Sequence, residues 1–140
     1  MNLKRPGHRT VPHTADICVE AWGATREQCL EQAVQGAVEA FVDAAHLSAQ
    51  KTRSAHLSSV CEEDLLVAVL DEMIYLVDTV GEVPVETTVT ARGDGIDVGF
   101  GLVDVRGVTQ VGAVPKGVSL HQLRLVEGRN GWSCSVVLDV

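Results

Sequence analysis

From Asp16 to Trp22 apolar and polar positions alternate with a period of two: Ile17, Val19 and Ala21 share one face, and Cys18, Glu20 and Trp22 the other. That spacing predicts a strand, ended by Gly23. The period then changes. Leu30, Val34, Ala37 and Phe41, flanked by Cys29, Ala33 and Val38, recur at helical spacing behind Thr25-Arg26-Glu27-Gln28. This tetrad is a capping box, in which the Thr hydroxyl accepts from the Gln28 amide and the Gln side chain reaches back. An amphipathic helix from about Arg26 to Val42 is predicted.

Lys51 to Ser58 places Ala55 and Leu57 on one face and reads as a strand. Ser59 with Glu62 forms a second capping-box pattern, followed by Leu65, Leu66, Val69, Leu70, Met73, Ile74 and Val77 at helical spacing. The predicted second helix closes near Thr79, before Gly81 and Pro84. The rest reads as β-structure. Val85 to Ala91 is rich in β-branched residues, Arg92-Gly93-Asp94-Gly95 is a turn signal, and Ile96, Val98, Phe100 and Leu102 alternate with smaller or polar residues, as in a hairpin. Beyond a loop around Gly107 to Pro115, Val118 to Val126 and Trp132 to Val140 flank a five-residue connection, Glu127 to Gly131. The order of elements predicts an α+β fold, a mainly antiparallel β-sheet with two amphipathic helices packed against it. No boundary or repeat divides the chain, so residues 1–140 are expected to form a single domain.

Composition narrows the function classes. The 140 residues suffice to bury roughly two-thirds of the unfolded surface without staples. A formal net charge of −8 argues against direct high-affinity binding of nucleic acid, which needs clustered Lys and Arg. Lys4, Arg5 and Arg9 are a short run that reads as a solvated tail. Cys18, Cys29, Cys61 and Cys134 make no CxxC pair, so neither a zinc site nor a redox motif is signalled. The N-terminus has no apolar signal-peptide core, and no apolar run nears the roughly 20 residues of a membrane span, which makes the cytoplasm the expected address.

His8, His46 and His56 read as surface residues, and Trp22, Trp132, Phe41, Phe100 and Tyr75 as packing aromatics. Gly93-Asp94-Gly95 and Gly99-Phe100-Gly101 lack the third glycine and the strand-to-helix setting of a dinucleotide loop. One feature near the end of the chain resists a packing explanation. Asp139 lies beside Val140, where chain ends fray unless tied down, and a second aspartate, Asp16, follows His13-Thr14-Ala15. Two Asp side chains with a terminal carboxylate or a nearby carbonyl make an all-oxygen set of the kind that calcium or magnesium prefers.

Four segments carry a family resemblance. His13-Thr14-Ala15-Asp16-Ile17 with Glu20-Ala21-Trp22-Gly23, Asp64-Leu65-Leu66, Lys116-Gly117-Val118-Ser119-Leu120-His121 and Val137-Leu138-Asp139-Val140, in this order, resemble archease over nearly the whole chain. The resemblance implies an archease-like fold and an accessory protein, not itself an enzyme, that activates the GTP-dependent RNA-splicing ligase of the RtcB type. It implies a calcium-type metal site at Asp16, Asp139 and the backbone oxygen of Val140, and a partner or nucleotide contact at Lys116. His13 and His121 are candidates to support that site through hydrogen bonds. The Lys116 segment departs from the family's usual KAVTYH at three positions but keeps its Lys and His. Two other classes stay open: a general chaperone-like protein-interaction module, for which Asp16 and Asp139 are dispensable, and a stand-alone metal-dependent hydrolase, which predicts turnover by the isolated protein.

Overall fold

The alternating segment is strand β2 (Asp16–Gly23), and its partner is one the sequence pattern did not predict, β1 (Gly7–Pro12). The computed structural model describes residues 5–12 and 16–140. Helix α1 (Arg26–Glu39) follows, then the short β3 (Val42–Asp43), β4 (Lys51–Ser58) and α2 (Glu62–Tyr75), which continues as a π-helical turn over Leu76–Val80. Next come β5 (Glu82–Arg92), β6 (Gly95–Asp104), a 3-10 turn (Val105–Gly107), β7 (Thr109–Gln110), β8 (Gly117–Gly128) and β9 (Gly131–Asp139). Among the described residues the strands form three antiparallel sheets, ordered β1-β2-β9-β8, β3-β7 and β4-β6-β5. The expected α+β architecture is therefore present, with its strands divided among sheets. No helix of the described residues is long and apolar enough to cross a membrane.

Register decides which face is core. Ile17, Val19 and Ala21 stand opposite Leu138, Val136 and Cys134, and five of these six side chains are buried, with Ile17 partly so. They meet the apolar stripe of α1, Leu30, Ala33, Val34 and Ala37, and that of α2, Leu66, Val69, Leu70 and Met73. The inner face of the second large sheet adds Ile96, Val98, Phe100 and Leu102. Helix α1 also covers the free edge of β5, where Glu31 accepts a hydrogen bond from the Val89 amide at 2.7 Å. A covered edge is one that cannot pair with another chain.

Several expectations are corrected by local chemistry. Gly7 to Pro12 is a strand and not a tail: Arg9 pairs with Glu20 at 2.7 Å, and His8 reaches α1 through Gln32 (2.7 Å) and Glu39. Helix α1 stops at Glu39, and Val42 leaves it to pair with Gln110. Cys61 and not Ser59 is the cap position of α2, so Ser59 donates instead to the Asp64 carboxylate at 3.1 Å. The last hairpin turns on Arg129-Asn130 alone, because Glu127 and Gly128 extend β8 and Gly131 begins β9. Tyr75 is 51% exposed, on the solvent side of α2.

Glu82, 5% exposed, is a buried acid bridged by Arg53 at 2.8 Å and Lys51 at 3.2 Å, which fastens edge strand β4 to β5 across β6. The Arg53 hydrogen bond, with Lys51 beside it, holds the Glu82 carboxyl below its ordinary value. A carboxyl whose folded value is lowered binds its proton more readily when unfolded. Its stabilising contribution is present above about pH 4.3 and is lost as pH falls through the folded value. Glu82→Gln should therefore lower the melting temperature near neutral pH and flatten its acid decline. Parallel melting curves for the two proteins across the acid range would contradict this.

Candidate functional site

The candidate acids lie at one end of the four-stranded sheet. Asp16, the first residue of β2, is the direct register partner of Asp139, the last residue of β9, and Asp139 is in turn the partner of Gly117, the first residue of β8. Side chains alternate along a strand. With Ile17, Val118 and Leu138 directed into the core, Asp16 and Asp139 emerge together on the opposite face, away from the helices. Asp16 is half-buried and Asp139 exposed. Directly opposed like charges on neighbouring strands disfavour pairing, so the arrangement costs stability unless a cation sits between them.

Lys116 joins the group through the backbone. Its amide donates to the Asp139 carbonyl at 2.7 Å, which fixes the start of β8 against the end of β9 and leaves the Lys116 side chain exposed. Pro115, buried, sets the entry to this segment. Gly117 was not singled out in the sequence: a Cβ there would lie 4.0 Å from Asp139 Oδ2, so a longer side chain would crowd the carboxylate. No sequence signal marks it, because its pairing with Asp139 follows from the strand order alone.

Of the residues implicated by sequence, Asp16, Lys116, Asp139 and Val140 are thus brought to one sheet end. His13 lies outside the described residues. His121 is exposed, in the part of β8 that leaves the ladder between Ser119 and Arg124, where its amide donates to Ser119 Oγ at 3.2 Å. No three His, Cys, Asp or Glu side chains among the described residues form a metal-holding group. Two carboxylates and a backbone oxygen are hard donors, the type that calcium and magnesium prefer over zinc.

The thiols are placed for other roles. Cys29 and Cys134 are buried and Cys18 half-buried, with Cys61 exposed, and all four are free. The hydrogen bond with Cys134, together with burial, pushes the Cys29 thiol up, which makes it an inert core group.

Comparison with known proteins places the chain in a family. Residues 8–140 match the family model of the Archease protein family (MTH1598/TM1083). The chain is 53% identical over 134 residues, 96% of its length and 75% of the relative's, to a "Probable protein archease" of Mycobacterium tuberculosis (strain H37Rv). It is 31% identical over 152 residues, covering all of both chains, to a "Protein archease" of Methanosarcina barkeri. Its fold matches the solution structure of Methanobacterium thermoautotrophicum protein 1598 with TM-score 0.77 at 23% identity, covering 96% of this chain and 99% of that one. The crystal structure of a Thermotoga maritima protein described as an archease, possible chaperone, matches with TM-score 0.68 at 20% identity, covering 100% and 99%. A family match over nearly every residue, joined by relatives of this identity and coverage, means that the chain belongs to the archease family.

Proposed function

We propose that this protein is an accessory factor that activates a GTP-dependent RNA-splicing ligase of the RtcB type, with Asp16, Asp139 and the Val140 backbone holding a divalent cation, calcium above others. The observation that supports this reading is the opposition of Asp16 and Asp139 on an exposed sheet end. Two unscreened carboxylates there do nothing for the fold, whereas an oxygen-ligand cation would neutralise them. When bound, such a cation would supply positive charge and open coordination positions at the surface where a partner docks.

The chain's own residues divide the remaining work. Asp16 and Asp139 set the place and the sign of the site. The Lys116 amide holds the end of β9, while its ammonium offers a compact cation to a phosphate or carboxylate of the partner. Acting on another protein is also in keeping with the Thermotoga protein's description as a possible chaperone.

Multiple-turnover RNA ligation by the cognate ligase, with and without this protein, tests the reading; no change in turnover number would overturn it. Lys116→Ala should cut that activation strongly while changing stability by less than about 0.5 kcal/mol, as is usual for exposed side chains. Loss of activation matched by thermal destabilisation would instead make Lys116 structural.

A further inference from the structure

The outward face that ends in Asp16 and Asp139 continues along the sheet for several more rows. Arg9, Glu20, Ser135 and Arg124 form one row across all four strands, and Gly7, Trp22, Ser133 and Val126 form the next. Near the β8–β9 turn these rows border a cleft of about 330 Å3, lined by Arg9, Glu20, Trp22, Arg124, Asn130 and Ser133 among others. Small-molecule sites span roughly 300–1,000 Å3 and join an apolar wall to a few convergent polar groups. The Trp22 indole supplies the wall. It lies across Gly7, where a Cβ would come within 2.7 Å of the ring, so β1 fixes the ring's position.

The charge of the cleft is unlike that of the protein. Two arginines and one glutamate give its named lining a net charge of +1 on a chain of net −8. Arg9 is engaged with Glu20 at 2.7 Å, while Arg124 has no carboxylate within ion-pair distance among the described residues. An exposed guanidinium without a carboxylate partner is suited to bidentate contact with a phosphate. A flat indole suits stacking of a base, which tolerates any base identity. The Glu20 carboxylate can accept from a ribose hydroxyl, the role an acid plays in dinucleotide folds, and Asn130 and Ser133 offer donors and acceptors to a base edge.

We propose that this cleft is a binding site for a mononucleotide, separate from the acidic sheet end. A single phosphate matches its small positive charge, whereas a polynucleotide would meet the acidic remainder of the surface. Glu20 stands four strand residues from Asp16, about 13 Å along the face, so the two sites can be emptied independently.

Both tryptophans of the chain, Trp22 and Trp132, line the cleft, so intrinsic fluorescence reports on it directly. The experiment titrates each of the four ribonucleoside monophosphates, inorganic phosphate and adenosine into the full chain, followed by calorimetry and tryptophan emission. At least one monophosphate should saturate one-to-one and change the emission, with phosphate and adenosine each weaker by about tenfold or more, since each makes only part of the contacts. Arg124→Ala should weaken that nucleotide by at least about tenfold with an unchanged melting temperature, and Asp139→Asn should leave it unaltered. Failure of all four nucleotides to saturate, phosphate binding as tight as the nucleotide, or indifference to Arg124→Ala would each overturn the proposal.

Discussion

Asp16→Asn combined with Asp139→Asn should abolish calcium binding and ligase activation while leaving the protein as stable as before, or slightly more so. The reason lies in the register: the two residues are direct partners on the same face of β2 and β9. Asparagine keeps the size of aspartate and removes both charges. Relief of a directly opposed like-charge pair stabilises by up to about 1 kcal/mol. Loss of the anionic ligands themselves should exceed the roughly 10–100-fold drop in metal affinity seen when only a ligand's supporting partner is removed. Function and stability are therefore expected to move in opposite directions, a combination that a structural pair of residues does not produce. Calorimetric titration of metal-free protein, run beside thermal melts of both forms, reads the two quantities. Calcium binding unchanged in the double variant would rule out this site, and a fall in melting temperature would show that the carboxylates serve the fold.

The elements that were legible in the sequence are those whose signals are local. Thr25 does accept from the Gln28 amide at 3.1 Å, and the Gln28 side chain reaches back as expected, to the Ala24 amide at 2.9 Å. Strand β4 spans the predicted Lys51 to Ser58, and the β5–β6 hairpin turns at Gly93-Asp94. Strand β1 was not legible because its residues opposite Ala21 and Val19 are His8 and Thr10, and the bonds of His8 to Gln32 and Glu39 replace apolar packing; a pattern of hydrophobicity carries no trace of such a strand. The box at Ser59 looked as good as the one at Thr25, yet the helix begins two residues later, where Asp64 is the nearer partner.

The candidate site was legible in a different way. Its residues could be picked from the short segments that resemble archease, but nothing in their spacing says that positions 16, 116 and 139 share one sheet end. That follows only from the pairing order β2-β9-β8. The cleft shows the converse. Trp22 and Trp132 read as packing residues, and Trp132 does pack against the core, yet both also border open space, which depends on the tight turn at Arg129-Asn130 and on the arginines from β1 and β8. Arg9 and Arg124 are 115 positions apart, too remote for a composition or charge-run argument to join them.

Glycines give the sharpest contrast between what the sequence and the structure reveal, and Gly95 is expected to be the most costly position among those at which a single methyl can be added. A Cβ on Gly95 would fall 2.0 Å from the Leu57 carbonyl oxygen and 2.8 Å from Ser58 Cα, both backbone atoms of the neighbouring strand. Backbone cannot rotate away as a side chain can, so β4 would have to separate from β6 at its closest approach. Strand β4 lies at the sheet edge and has β6 as its strand partner, so the disturbance extends to the Lys51 and Arg53 bridges with Glu82. Gly95→Ala should cost at least about 3 kcal/mol, which is roughly 10 °C in melting temperature for a domain of this size. Gly99, in the same strand, is the matched control: a Cβ there meets nothing within 4 Å. Gly99→Ala should be neutral or stabilise by about 0.4–1 kcal/mol through reduced freedom of the unfolded chain. Equal melting temperatures for the two variants would show that the contact at Leu57 does not constrain the strand. Because both glycines lie in the three-stranded sheet, neither change should alter calcium affinity once the folded fraction is taken into account.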